Sequence, residues 1–418
     1  MKQRRECLKR GVLARLWLAG VVPARNRIFP SILQVVVAIA GPAPFALSQT
    51  PLRALQIYHA PRTLPLTAFY DTPDPLPAGK PGALIRSEQF DEYHLSYDVT
   101  AFRILYHSRS ARGDDVAVSG VVLMPEGTPP TGGWPVIAWA HNFSGFARQC
   151  APSLIKNLME GPLLSMYVGL GYAVVVSDYA GLGTNFPYAA LDSRSNAQDV
   201  MYSIPAARVA VPQLASKWVV AGLSLGALVA LSVAENTPED DSGYLGALAI
   251  SGLGEPGDIF TGLGLGTDYA LLVSLAQGIK TVFPDFRVES MLTDKAIQLL
   301  EHLSHSCEVR SGPQLHADEM LKRGWENNRY VKEFFNRNRL VGKPARGPLL
   351  VIGGESDSVV PLALTAKVVS RLCEQKDRVA FVKYPGVNSS AVLGNSVSEQ
   401  TSWIRARFAG LPAPSNCP

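Results

Sequence analysis

The sequence predicts an α/β protein: a mostly parallel sheet covered by helices on both faces and broken by one helical insertion. Three observations carry this. Eight short apolar, β-branched runs recur along the 418 residues, and helical patterns fall between several of them. One strand-like run passes through Gly222-Leu223-Ser224-Leu225-Gly226 straight into a helical run. Hydrophobic content of 47% with 18% charged residues suits a chain with a sizeable core.

The N-terminus reads as a leader. Lys2, Arg4, Arg5, Lys9, Arg10, Arg15, Arg25 and Arg27 face one acid, Glu6. The apolar run Ile32 to Ala40 follows, and Ala46-Leu47-Ser48 is a small-x-small site before Gln49. This order predicts a secretory signal peptide over residues 1–48, and hence a secreted or periplasmic protein. The run is too short for a comfortable membrane span. The basic region is long and encloses an earlier apolar stretch, residues 12–22, so a retained membrane anchor is the alternative reading. Beyond the leader, 31 basic residues meet 34 acidic ones, so the formal charge of +4 belongs to the leader and no nucleic-acid partner is implied. Cys7 leaves with the leader. Cys150, Cys307, Cys373 and Cys417 remain, an even number with three possible pairings. An oxidising compartment lets them pair. No spacing of Cys or His points to a metal, and no cofactor is expected.

Residues 49–82 are proline-rich and aperiodic, an N-terminal arm expected to wrap the surface. Strands are expected at residues 101–106, 115–124, 135–140, 172–178, 217–221, 244–251, 348–353 and 379–384, the first two antiparallel. Helices are clearest at 197–214, 227–235, 362–375 and 396–409. Residues 252–340 break the alternation. Gly-rich 252–266 leads into Tyr269-Ala270-Leu271-Leu272-Val273 and a second helical stretch, 288–303. Inserted between the sixth and seventh strands, this segment is expected to lie over the C-terminal edge of the sheet, where ligands bind. The domain organisation is therefore a core of residues 49–251 and 341–418 with a cap or lid of residues 252–340.

The chemistry centres on Ser224. Strand, G-x-S-x-G, helix is the context of a nucleophile elbow, in which the serine hydroxyl stands clear on a sharp turn. A serine hydroxyl needs an adjacent base oriented by an acid. In α/β-hydrolases the chain order is Ser, acid, His. Asp357 follows the strand 348–353 and is the preferred acid, with Glu355 in reserve. The histidine should follow the strand ending Tyr384-Pro385-Gly386, but Val387-Asn388-Ser389-Ser390-Ala391 holds none, and the last of seven histidines is His316. Oxyanion donors are expected from the Leu225 N–H and from the Asn142 or Phe143 N–H after the strand 135–140. His141 reads as a histidine of that loop, and Asp178 as a structural acid bonded to loop backbone.

These motifs resemble the secretory lipases of the lipase A type. The resemblance runs over residues 81–417. It rests on Pro81-Gly82-Ala83-Leu84-Ile85-Arg86, Ser119-Gly120-Val121-Val122, Gly133 to His141, Cys150-Ala151-Pro152-Ser153, residues 178–184, the elbow, Asp357 with Val360-Pro361, and residues 403–417. It implies an α/β-hydrolase with a helical cap, hydrolysis of carboxylic esters, and acyl ester or lipid substrates met through transient contact of the cap with a lipid interface. It implies Ser224 as nucleophile, Asp357 as acid, and disulfides Cys150–Cys307 and Cys373–Cys417. Three departures stand out. The family elbow has His before the serine and Gln-Gly after it, where this chain has Leu223, Leu225 and Gly226. The family's His-Gly-Thr is here His141-Asn142-Phe143. Ser389 occupies the place of the catalytic histidine. The expected function is a secreted lipase or esterase that draws its base from His302, His305 or His316 or has lost its histidine. The alternative is a catalytically impaired relative that binds acyl ligands.

Overall fold

The computed structural model describes residues 63–95, 99–262, 269–305, 307 and 317–417. The proposed signal peptide and the first part of the arm lie outside them. In chain order come β1 (Leu84–Gln89), β2 (Val99–Arg109), β3 (Asp115–Pro125), β4 (Trp134–Ala140), α1 (Gly161–Gly169), β5 (Ala173–Ser177), α2 (Ser193–Ala210), β6 (Leu214–Leu223), α3 (Leu225–Asn236) and β7 (Tyr244–Ile250). Then follow α4 (Pro256–Gly262), α5 (Tyr269–Val282), α6 (Asp294–Leu303), α7 (Ala317–Met320) and α8 (Arg329–Arg337). The chain closes with β8 (Leu349–Gly354), α9 (Leu362–Glu374), β9 (Val379–Tyr384), α10 (Ser389–Asn395) and α11 (Val397–Phe408).

The nine strands form one sheet in the order β1-β2-β3-β5-β4-β6-β7-β8-β9. β1, β2, β3 and β5 pair antiparallel, and β5-β4-β6-β7-β8-β9 pair parallel. Alternation along each central strand feeds two cores. Ile137, Trp139, Val174, Val176, Val219 and Ala221 pack on one face with Leu164 and Tyr167 of α1 and Ile404 of α11. Val136, Ala138, Val175, Val220 and Val351 pack on the other with Ile204 of α2, Ala227 of α3 and Leu372 of α9. From β4 the chain passes by α1 to β5 on one side, and from β5 by α2 to β6 on the other. The C-terminal ends of β4 and β6 therefore flank the switch point of the sheet, where a crevice opens for ligands.

Residues 252–340 carry α4 to α8 and no named strand among the described residues. Leu275, Ile279, Phe286 and Phe334 join the second core. The two ends of this insertion are pinned to the sheet layer. Glu255 pairs with Arg371 of α9 and accepts the Leu340 N–H (2.9 Å). Arg337 of α8 gives the Asp192 carboxylate two hydrogen bonds, 2.9 and 3.1 Å, at the start of α2. Cys150–Cys307 ties the insertion to the segment after β4, and Cys373–Cys417 ties the C-terminus to α9, the pairing that the resemblance implied.

Four local expectations change. β1 is a ninth strand, at the sheet edge. The helix expected at 197–214 runs from Ser193 to Ala210, and Leu214 opens β6. Pro212 disfavours helical backbone at Val211 and so stops the helix there. The segment after Tyr384-Pro385-Gly386 is helical from Ser389, because Asn388 caps it by accepting the Ser390 and Ala391 N–H groups (3.1 and 2.9 Å). The described part of the arm buries Leu64, Phe69 and Tyr70, so it is core as well as wrapping.

Asp192 has no exposed side-chain area, whereas Arg337 is 24% exposed. Arg337→Met leaves that carboxylate buried and unpaired, so urea unfolding should show a loss of about 2–4 kcal/mol, discounted for the exposure of the arginine. Adding Asp192→Asn should recover part of the loss; no recovery would contradict the clamp.

Candidate active site

Ser224 links β6 to α3 with φ 55° and ψ −112°. A β-carbon disfavours this region, at a cost of about 1–3 kcal/mol. The surroundings enforce it. The Ser224 N–H donates to the Ile250 carbonyl (2.9 Å), and the Ala227 N–H to the Ser224 carbonyl (2.9 Å). A methyl group at Gly226 would collide with the Ala140 carbonyl, and one at Gly222 with the Gly226 carbonyl. Only glycines let α3 start this close to β4. Ser224 itself stays partly exposed. The Leu225 N–H begins α3 and has no acceptor within the helix.

The loop after β4 lies against this helix start. His141 is fully buried and stacks on Tyr179, with centroids 4.1 Å apart. Its Nδ1 lies 2.5 Å from the Asn142 carbonyl and its Nε2 3.4 Å from the Asp178 carbonyl. Burial lowers its pKa to about 4, so it is neutral and anchored to backbone at neutral pH. The Phe143 N–H donates to Asn142 Oδ1 (2.7 Å), which corrects its expected freedom as an oxyanion donor. The Asn142 N–H faces the Glu160 carboxyl, which also accepts from Trp139 Nε1 (3.3 Å). Burial pushes Glu160 up to about 7. Ser144 Oγ, buried in the same loop, has no hydrogen-bond partner among the described residues. Neither Glu160 nor Ser144 was singled out from sequence, since their roles depend on a turn conformation that no motif encodes.

Asp357 follows β8 and is nearly buried. Its Oδ1 accepts the Val359 and Val360 N–H groups (2.9 Å each), and its Oδ2 accepts from Ser251 Oγ (2.6 Å). Ser251 directly follows β7 beside Gly252, where an added methyl would meet Ser224 Cα at 2.8 Å. A continuous path of contacts thus runs from Ser224 through Gly252 and Ser251 to Asp357. Glu355 is solvent-exposed. The Ser389 segment docks beside the Asp357 loop: the Ser356 N–H donates to the Val387 carbonyl (2.9 Å) and the Glu355 N–H to the Tyr384 carbonyl (3.0 Å). Ser389 is the first residue of α10 and half-buried. His302 and His305 are exposed on the insertion, and His316 lies outside the described residues. Asp178 is buried and accepts from Ser119 Oγ (2.6 Å), Ser153 Oγ (2.5 Å) and the Ser153 N–H (2.8 Å). Its role is structural, and hydroxyls share it with backbone.

Residues 152–416 match the family model described as secretory lipase. In sequence the chain is similar to a secreted triacylglycerol lipase of Malassezia globosa, 24% identical over 391 residues, spanning 84% of this chain and 80% of that protein. It is also similar to Lipase 6 of Candida albicans, 22% identical over 400 residues, 84% and 82% of the two chains. In structure it is similar to Candida antarctica lipase A in its closed state, with a TM-score of 0.73, 19% identity, and coverage of 85% and 89%. The rice cell wall degrading esterase LipA of Xanthomonas oryzae follows at a TM-score of 0.65, 20% identity, and coverage of 79% and 98%. The fold is that of the α/β-hydrolases.

Burial raises five carboxyls: Glu160, Asp199 and Glu235 to about 7, Asp178 to about 6, and Asp377 in the same direction. Each then holds its proton in the folded state where the unfolded chain, near 4, has lost it. Their stabilisation is full below about pH 4 and is lost as pH climbs through the folded values. His141 opposes this with one group, gaining stability as pH rises towards about 6.5. The melting temperature should therefore fall between about pH 5 and pH 8. Glu160→Gln should make the fall shallower in melts followed by circular dichroism; an unchanged slope would count against a buried, protonated Glu160.

Proposed function

The chain belongs to the secretory lipase family, and on that premise we propose that it is a secreted carboxylic ester hydrolase that acts on acyl ester or lipid substrates through a Ser224 acyl-enzyme. The backbone of Ser224 carries the reading. A partly exposed serine at φ 55° on a strand-to-helix turn, at the switch point of the sheet, suits attack on a carbonyl carbon. In this reading Ser224 Oγ adds to the ester carbonyl. The oxyanion is met by the Leu225 N–H, with a second donor from the loop after β4 once the Phe143 N–H leaves Asn142 Oδ1 or the Asn142 N–H leaves Glu160, and the alcohol leaves with a proton. Water then releases the acid by the reverse sequence.

The base is the weak point. A hydroxyl at Ser389 does not take a proton near neutral pH, where an imidazole does. Loss of a triad histidine costs about 10⁶ in turnover. Asp357 fits the acid of such a triad, and in the absence of imidazole its Oδ2 is bonded to Ser251. That bond favours the second reading, an impaired hydrolase that retains acyl binding with little turnover.

The leader residues 1–48 serve as a signal peptide in this proposal. No described helix is long and apolar enough to cross a membrane. Residues 252–340 act as a cap over the catalytic edge and make transient contact with lipid, with an acyl chain taken up beneath.

Hydrolysis of p-nitrophenyl acyl esters tests the proposal. Ser224→Ala should abolish any activity, and activity that survives it would refute the assignment. Ser389→His should raise kcat by at least about 100-fold, a fraction of the cost of a missing base. No gain would mean that the base lies elsewhere or that the pocket is remodelled.

A further inference from the structure

An open cavity of about 590 Å³ lies between the first turn of α2, the last turns of α3, and residues 336–343 at the end of α8 and beyond it. None of its lining residues belongs to the elbow, the loop after β4 or the Asp357 segment. Its volume lies in the range of small-molecule sites, but its walls are mostly polar. Four cations line it from separate segments: Arg194 of α2, Arg337 of α8, and Arg339 and Lys343 past the end of α8. Arg337 is committed to the Asp192 carboxylate. The side chains of Arg194, Arg339 and Lys343 make no hydrogen bond or ion pair with the described residues.

Little negative charge answers them. Glu235 is the one carboxyl among the lining residues, and it accepts the Val341 N–H (2.7 Å). Burial pushes it up towards neutrality, and Glu255 and Asp377 behind it act in the same direction, whereas Lys343 pulls it down. Glu255 itself is paired with Arg371. At most one negative charge therefore meets three unpaired positive ones. Ser232, 5% exposed, adds a donor: its Oγ accepts from Asn236 Nδ2 (3.4 Å), and its proton has no acceptor among the described residues. A neutral or apolar ligand would leave these charges unmatched. Guanidinium groups hold phosphate oxygens through paired, charge-assisted hydrogen bonds, and a dianion doubles the Coulomb attraction of a monoanion.

We infer that this cavity binds the phosphoryl group of a phosphate monoester, held between Arg194, Arg339 and Lys343 with the Ser232 hydroxyl donating from the floor. The site does not involve Ser224 and stands apart from the hydrolase reading. Calorimetric titration of glycerol 3-phosphate into the purified chain tests it, at low salt and about pH 7.5, where the ester is a dianion. One ester should bind per chain, and acetate should bind at least about tenfold more weakly. Arg194→Gln and Arg339→Gln, both on the exposed rim, should each weaken the ester about tenfold. Glu235→Gln keeps an acceptor for the Val341 N–H but removes the opposing charge, so it should tighten binding severalfold, an effect that damage to the fold would not produce. Co-sedimentation with phosphatidic acid vesicles separates the sources of the phosphate. Capture that Arg194→Gln abolishes would mean that a lipid headgroup enters the cavity, and no capture would mean a free ester. Failure of glycerol 3-phosphate to bind would overturn the inference. Binding that neither arginine substitution weakens, or that acetate matches, would overturn it as well.

Discussion

The left-handed backbone of Ser224 is the constraint on which the rest of the catalytic edge depends. It persists because Gly226 lies against the Ala140 carbonyl with no room for a side chain, and because the Ser224 N–H is held by Ile250. Those two contacts join β4, β6 and β7 at one point. The same closeness brings the His141 loop against the start of α3, and Gly252 against Ser224. Asp357 then reaches the edge through Ser251. Strain of about 1–3 kcal/mol at one residue is borne by packing on three strands.

The polar structure behind that edge is arranged around burial. Asp178 and Asp199 bond to hydroxyls and N–H groups that fix the loop after β5. Burial lowers His141 to about 4 against the pull of the two carbonyls beside its ring, which makes it too weak a base to serve although it stands closest in sequence to the oxyanion loop. The insertion is fixed by ion pairs at its roots and by Cys150–Cys307.

Much of this was legible in the sequence. Runs of Val, Ile and Ala marked the central strands because both faces of a parallel sheet are buried. The elbow, Asp357 and the absent histidine were readable as residues in order. β1 escaped because Leu84–Gln89 is a half-exposed edge strand without a clean apolar pattern. The start of α10 escaped because its cap, Asn388, is also a common loop residue. The donors of the Asn142 loop were not legible at all. Whether the Phe143 N–H faces solvent or Asn142 Oδ1 depends on side-chain torsions, and the proton on Glu160 depends on burial that only the folded chain creates.

The central claim is that Ser224 occupies a competent nucleophile position that lacks its base. The rate at which a fluorophosphonate labels the chain, read by peptide mass spectrometry, tests it most directly. The account predicts slow labelling confined to Ser224 in the native sequence and much faster labelling of the same serine in Ser389→His. Labelling at another residue, or equal rates in the two proteins, would contradict it.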